Sequence, residues 1–357
     1  MSHLNNFPSL PFSIKYNKTK NACLSLGIIC SWMSINHAYA AQQPLTQSST
    51  STPAIQKTEK TDPIVENQYY TGSLLSPSGA ITKAGVLSIE PYTFGTISRG
   101  AYTSSGKVKN SAHRTDSYGA YSLVKYGVTD HFTVQTIPQV SYAWNGKTTS
   151  SSVHINDLPV DLQYRVINQV NSHYQPSLTA IAGLNIPIGD YSRLGRSLDA
   201  VGSGVYALRF GLQSQAAYNV FNHALRIRVW GVGRQPIGSR NIHDISAYGT
   251  TKGYDGNVKP GLFGNTGFSI EYGFSQKLLF AFDFQYDWSK GTRIKGSYNN
   301  APSTRNVTGA SHDVQVAPAF EYNFNGNVGI IAGAALTVDG HNTNDFIQPQ
   351  MAVNLIF

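Results

Sequence analysis

Arg226 and Arg228 stand two residues apart, set between Leu225, Ile227 and Val229. In an extended chain that spacing puts both guanidinium groups on one face, about 6.6 Å apart at roughly 3.3 Å per residue. Like charges that close need a counter-charge, trapped water or a passing anion between them. Lys125, Arg165 and Arg209 sit in the same setting, each with an apolar or aromatic residue on either side. So do four acids, Glu271, Asp283, Asp287 and Glu321. These nine groups describe one polar face backed by an apolar one. Two roles are open to them. They can pair and fill an interior, or they can set a transverse field, basic on one wall and acidic on the other, that selects small charged solutes.

Catalytic chemistry finds less support. No His-x-Ser or Asp-x-Asp pair is present, so neither an outer-membrane phospholipase nor an omptin-type protease pattern is complete. Asp339-Gly340-His341 falls in what reads as a short polar connection. His243, Asp244 and Ser246 are too close in sequence for a triad, whose members come from separate elements. His154, His173, His223 and His312 lack metal-ligand spacing, and His131 reads as a solvated turn residue. No enzyme activity, cofactor or metal is expected.

The elements that must position the nine charges are strands. In Leu278–Trp288 the residues Leu278, Phe280, Phe282, Phe284, Tyr286 and Trp288 share one face, and Leu279, Ala281, Asp283, Gln285 and Asp287 share the other. Val160–Val166, Tyr206–Gln213, Leu225–Val229 and Val314–Tyr322 repeat the alternation. Further strands read near 84–96, 117–126, 132–143, 177–188, 261–272, 328–338 and 346–357, which makes twelve. The first is ambiguous, because Leu87 and Ile89 compete with Val86, Tyr92 and Phe94 for the outer face. The chain closes on Met351, Val353, Leu355 and Phe357 alternating with Gln350, Ala352, Asn354 and Ile356. An apolar face toward lipid and a mixed face toward a lumen is the pattern of an outer-membrane β-barrel. About twelve strands lie between the filled 8-stranded barrel and the open 16-stranded one, so the lumen is narrow or plugged.

The N-terminus fits that compartment. Lys15, Lys18 and Lys20 precede a short apolar stretch, Leu24–Met33, and then Ala38-Tyr39-Ala40. Residues 1–40 therefore read as a Sec signal, too short in its apolar part for a helical span. Both cysteines, Cys23 and Cys30, leave with it. Residues 41–68, rich in Gln, Ser, Thr and Pro up to Asp62, read as a disordered periplasmic leader. Residues 69–357 are the barrel. The 21 Tyr, 16 Phe and 33 Gly against 13% charged residues suit it. The excess of 27 Lys and Arg over 19 Asp and Glu is too small and too scattered for a nucleic-acid footprint.

Connections alternate in length. Short ones fall at Gly127–His131, Asn168–Gln175, Ala217–His223, Gly273–Lys277 and Asn323–Asn327. Long ones fall near 97–116, 144–157, 189–203, 234–260, 289–310 and 339–345. Short periplasmic turns and longer outer loops are how such barrels are built, with both termini on the periplasmic side.

Gly72–Gly79 (GSLLSPSG), Ile89–Tyr92 (IEPY), Tyr126–Asp130 (YGVTD), Asp157–Arg165 (DLPVDLQYR) and Leu184–Gly189 (LNIPIG) occur in this order. With the C-terminal strand they resemble the outer-membrane family labelled "MetA-pathway of phenol degradation", over about residues 70–357. The resemblance implies a transporter-like barrel for small compounds, aromatic ones included. It supplies no catalytic or binding residue. The expected function is a passive uptake channel for small aromatic or hydrophobic solutes in the bacterial outer membrane. Its expected partners are outer-membrane lipid, the permeant, and the barrel-assembly machinery, engaged through the strand ending at Phe357. Two alternatives stand beside it. One is a surface protein that binds partners through its outer loops, marked by a lumen closed with paired charges. The other is a membrane-embedded hydrolase, marked by a nucleophile and a base meeting at the outer rim.

Overall fold

The computed structural model describes residues 62–77, 80–110, 114–170, 175–299 and 301–357. The signal segment 1–40 and most of the 41–68 leader lie outside the described residues. Twelve antiparallel strands form the barrel. They are β1 (Leu87–Tyr102), β2 (Asp116–Gly127), β3 (Phe132–Thr136 with Gln139–Asn145), β4 (Leu158–Ile167), β5 (Ser177–Ile186) and β6 (Ala207–Val220). Then come β7 (His223–Pro236), β8 (Phe263–Gly273), β9 (Leu278–Ser289), β10 (Ser311–Asn323), β11 (Val328–His341) and β12 (Thr343–Ile356). Each pairs with its sequence neighbour. β1 also pairs with β12, Ile89 opposite Leu355, and that pairing closes the sheet. A closed sheet satisfies every ladder group within the chain, as lipid demands.

The side-chain period of two does the rest. Leu208, Phe210, Leu212, Val229 and Phe320 point outward, each more than half exposed. Their neighbours Arg209, Arg228 and Glu321 are buried inside. Phe132 with Tyr164, and Tyr322 with Phe324, place aromatic pairs on the outer surface near the short turns. That is where a membrane interface belongs. β3 breaks at Ile137-Pro138, because Pro138 has no N–H for the ladder. Its carbonyl still accepts from Ser122 N at 3.0 Å.

Three expectations change. The 339–345 connection is not a long loop. β11 and β12 run to His341 and from Thr343, so Asn342 alone turns the chain, at φ 52°. Asp339-Gly340-His341 is thus strand, with His341 stacked on His312 of β10 at 5.5 Å. The first strand settles with Leu87 and Ile89 outward and Glu90, Tyr92 and Phe94 buried inside. The third change is at the leader, which is structured from Asp62 onward. Asp62 caps a one-turn helix, α1 (Pro63–Glu66), accepting from Ile64 N at 3.0 Å, with proline at the first helical position. Its other carboxylate oxygen accepts from Asn219 Nδ2 of β6 at 2.9 Å.

From α1 the chain enters the barrel at the short-turn end, and its described residues there, 67–77 and 80–86, cross the lumen without helix or strand. It leaves along β2 and β3, where Thr82 N donates to Thr133 Oγ1 at 2.9 Å. It then turns into β1.

At the long-loop end, four short strands form a second sheet: Arg240–His243, Tyr254–Lys259, Arg293–Tyr298 and Thr304–Val307. Ile242, Tyr248, Tyr254, Val258 and Ile294 pack with Ala200 and Tyr191 into a small outer core.

Candidate functional site

All nine charged residues singled out in the sequence lie buried inside the barrel, none more than 7% exposed. They do not form two unpaired walls. Arg226 of β7 lies directly opposite Glu271 of β8. Arg226 Nη2 reaches Glu271 Oε1 at 2.6 Å, and Arg228 Nη2 reaches Glu271 Oε2 at 3.2 Å. One carboxylate thus supplies the counter-charge that the closely spaced arginines require.

Arg209 of β6 meets Asp161 of β4, Nε to Oδ1 at 2.7 Å and Nη2 to Oδ2 at 3.0 Å. The two strands are not neighbours. Gly183 of β5 stands opposite both residues, and a Cβ there would come within 2.2 Å of Asp161 Oδ1. The missing side chain is what lets the pair join across a strand. Asp161 is on the inward face by alternation, yet only the register shows that it partners Arg209.

Lys125 lies on β2 near Ala80 of the crossing segment, its Nζ 3.5 Å from the Ala80 carbonyl. Arg165 donates to Thr179 Oγ1 at 3.1 Å. Asp287 faces Asp313 of β10 across the ladder, and Gln315 Nε2 bridges them at 3.0 and 2.7 Å. Sequence reading missed Glu90, Arg234 and Asp313, all buried. Glu90 accepts from the Tyr92 hydroxyl at 2.9 Å. It was hidden because β1 points aromatic rings inward, the reverse of the usual pattern.

Asp283 and Glu321 hold the crossing segment. Glu321 Oε2 accepts from Thr71 N at 2.8 Å and from Gly72 N at 3.0 Å. Asp283 Oδ2 accepts from Leu75 N at 3.1 Å. Thr71 Oγ1 bonds Asn323 Oδ1 at 2.9 Å, and the Arg226 guanidinium lies 3.7 Å over the Tyr70 ring. Gln68 Nε2 donates to the Gln276 carbonyl at 2.8 Å. The segment is held by side-chain carboxylates and a cation–π contact rather than by ladder bonds. It lies buried in the short-turn half of the lumen.

Near the loop end a cavity of about 120 Å³ remains, lined by Gln139, Asp157, Asn185, Ser203, Tyr248 and Phe263 among others. Asp157 Oδ2 accepts from Ser203 Oγ at 2.6 Å and Ser203 N at 2.8 Å, while Oδ1 accepts from Gly189 N at 3.0 Å. Burial pushes its carboxyl above the ordinary range despite these donors.

At the rim, Ser151 Oγ and Ser152 Oγ lie 3.3 and 3.5 Å from His154 Nε2. A nucleophile and a base therefore do meet there. Both nitrogens of that base also face carboxylates, however. Asp190 Oδ2 takes Nδ1 at 2.9 Å, and Asp199 Oδ1 takes Nε2 at 3.2 Å. His154 clips two loops together. Of the other histidines, His173 lies outside the described residues, and no group of three metal-binding side chains gathers among the described ones.

No family model matches the chain, and no curated protein does. Solved structures do. The chain is similar to the COG4313 outer membrane channel from Pseudomonas putida F1 at 12% identity, covering 78% of this chain and 97% of that one, with a TM-score of 0.54. What the two share is the antiparallel β-barrel fold. Weaker likenesses are to a mutant of the TodX monoaromatic hydrocarbon channel and to the NanC porin. The first is 12% identical over 77% of this chain and 90% of that one, TM-score 0.39. The second is 10% identical over 75% and 98%, TM-score 0.35.

Proposed function

We propose that the protein is a passive diffusion channel for small solutes, aromatic and hydrophobic compounds included, in the bacterial outer membrane. We place it with the "MetA-pathway of phenol degradation" barrels on the motifs quoted above. One observation carries the reading. A separate stretch of chain, Tyr70 to Ser76, is buried inside the short-turn half of the barrel, packed among inward-facing side chains of the wall. Displacement of the stretch would open a twelve-stranded barrel as a narrow pore. The inward charges then set selectivity.

Reversal potential under a salt gradient in planar bilayers tests it. Arg226→Ala with Arg228→Ala leaves Glu271 without its cations and is expected to shift the potential toward cations. Asp283→Ala is expected to shift it toward anions. Unchanged potentials in both would mean that the charges only fill the barrel. Complete absence of channel events would favour the surface-protein reading, which the paired Arg226, Arg228 and Glu271 and the interlocked outer loops also suit.

The same reading makes the last strand an assembly signal, recognised by the barrel-assembly machinery through strand pairing and outward apolar residues. Phe357 is 69% exposed on the outer face, while Ile356 is half-buried. Phe357→Asp is expected to lower outer-membrane levels far more than Ile356→Ser, read by fractionation and immunoblot. Equal losses would disprove the signal.

A further inference from the structure

The lumen is not polar throughout. Tyr92 and Phe94 of β1, Tyr121 and Leu123 of β2, and Ile137 of β3 face inward and form one buried cluster. Tyr92 and Tyr121 stack at 4.5 Å and 9°, with Phe94 tilted against Tyr121 at 6.0 Å. The strands that share this cluster from β9 to β12 present mostly small side chains, Ala281, Ala317, Ala319, Ala335 and Ala352, with Ile331 the one large side chain among them. Large flat rings on one side and methyl groups on the other leave an apolar hollow. Water has no reason to fill it, because it offers few polar partners.

Leu74 and Leu75 fill it instead, 0% and 3% exposed. They belong to the crossing segment, and their backbone neighbours hang on Glu321 and Asp283. Beside the hollow, Glu90 is wholly buried. Its Oε1 takes the Tyr92 hydroxyl, and its Oε2 has no hydrogen-bond partner among the described residues. A buried acceptor without a donor is costly. It is matched by a ligand that carries one.

We propose that Leu74 and Leu75 occupy a binding site for a small, mostly apolar molecule with one hydrogen-bond donor, so that the segment and the solute compete for the same hollow. The ring faces of Tyr92, Phe94 and Tyr121 contact the apolar body, and Glu90 Oε2 receives the donor. Binding of the solute holds the segment out, and docking of the segment expels the solute. This deepens the channel reading and rests on it, because the hollow lies on the path through the barrel.

Benzyl alcohol serves as probe, titrated calorimetrically into protein in phosphatidylcholine nanodiscs against empty nanodiscs. Apparent affinity is the intrinsic affinity scaled by the fraction of molecules whose site is free, so weakening the internal occupant should tighten binding about tenfold. Leu74→Ser with Leu75→Ser is the weakening variant. Thr71→Cys with Asn323→Cys, joined by a short bifunctional thiol reagent, is the locked one, and binding should vanish there and return without the reagent. Heat-modifiable gel migration verifies that each variant folds. Equal affinity in wild type, the serine variant and the linked variant overturns the competition. If the proteins conduct but show that equality, this inference fails and the channel reading stands. If the serine variant binds more tightly yet nothing conducts, the channel reading fails and the competition stands.

Discussion

Glu271→Ala is expected to destabilise the barrel by about 3–5 kcal/mol, the range for removing one partner of a buried ion pair. Two arginines depend on that carboxylate, and both are buried, Arg226 at 0% and Arg228 at 1% exposure. Alanine leaves two neighbouring cations on one strand face without the carboxylate that bonds both, so repulsion adds to lost attraction. Urea unfolding in phospholipid vesicles, followed by circular dichroism, measures the cost. A second variant separates charge from packing. Glu271→Ala combined with Arg226→Met and Arg228→Met removes the whole cluster, and it should recover most of the stability, since an apolar replacement of a buried ionic set is often neutral or better. A loss under about 1 kcal/mol for the single variant, which is the worth of an exposed pair, would show that water screens the cluster.

Phe284→Arg tests the other face of the same wall. Phe284 lies midway along β9, pointing outward, its ring stacked on Phe268 of β8 at 5.4 Å. An arginine near the bilayer midplane of such a barrel costs ~2–4 kcal/mol, and near the interface only ~0–1. Phe324, in the short turn after β10, is the matched control, because it sits at the water end of the same apolar surface. The urea midpoint should fall steeply for Phe284→Arg and barely for Phe324→Arg. Equal losses at the two positions would mean that the outer belt is not in lipid.

What could be read from the chain follows from what lipid enforces. β9 was legible to the residue, because apolar Leu278, Phe280, Phe282 and Phe284 alternate with Leu279, Ala281, Asp283 and Gln285, and one face must be oily along its whole length. β1 was not, because Tyr92 and Phe94 face a partner, Leu74 and Leu75, that no local period announces. The polar tips of β11 and β12 read as a loop for a related reason. The apolar signal stops where the membrane stops, but the hydrogen-bonded sheet runs on to Asn342. Alternation alone assigns the nine charges to the inward face, and all nine are buried. It does not assign their partners, since Asp161 reaches Arg209 only because Gly183 lies between them in register. The crossing segment, Ser73-Leu74-Leu75-Ser76-Pro77, has no period at all. Its place is set by contacts as far off as Asn323.

Those separations fix the order in which the molecule can form. Thr71 and Asn323 are 252 positions apart, and before the barrel exists their meeting would carry the full entropy of closing a loop of that size. Joining β1 to β12 incurs that entropy once, by pairing Ile89 with Leu355. After that, residues 70–76 lie 11 to 17 positions before Leu87, where a wall already in place begins, and their arrival is a short, local search. The seam therefore seals first and the interior fills afterwards. By that account, release of residues 70–76 from a sealed barrel is expected to be the least costly departure from the native state.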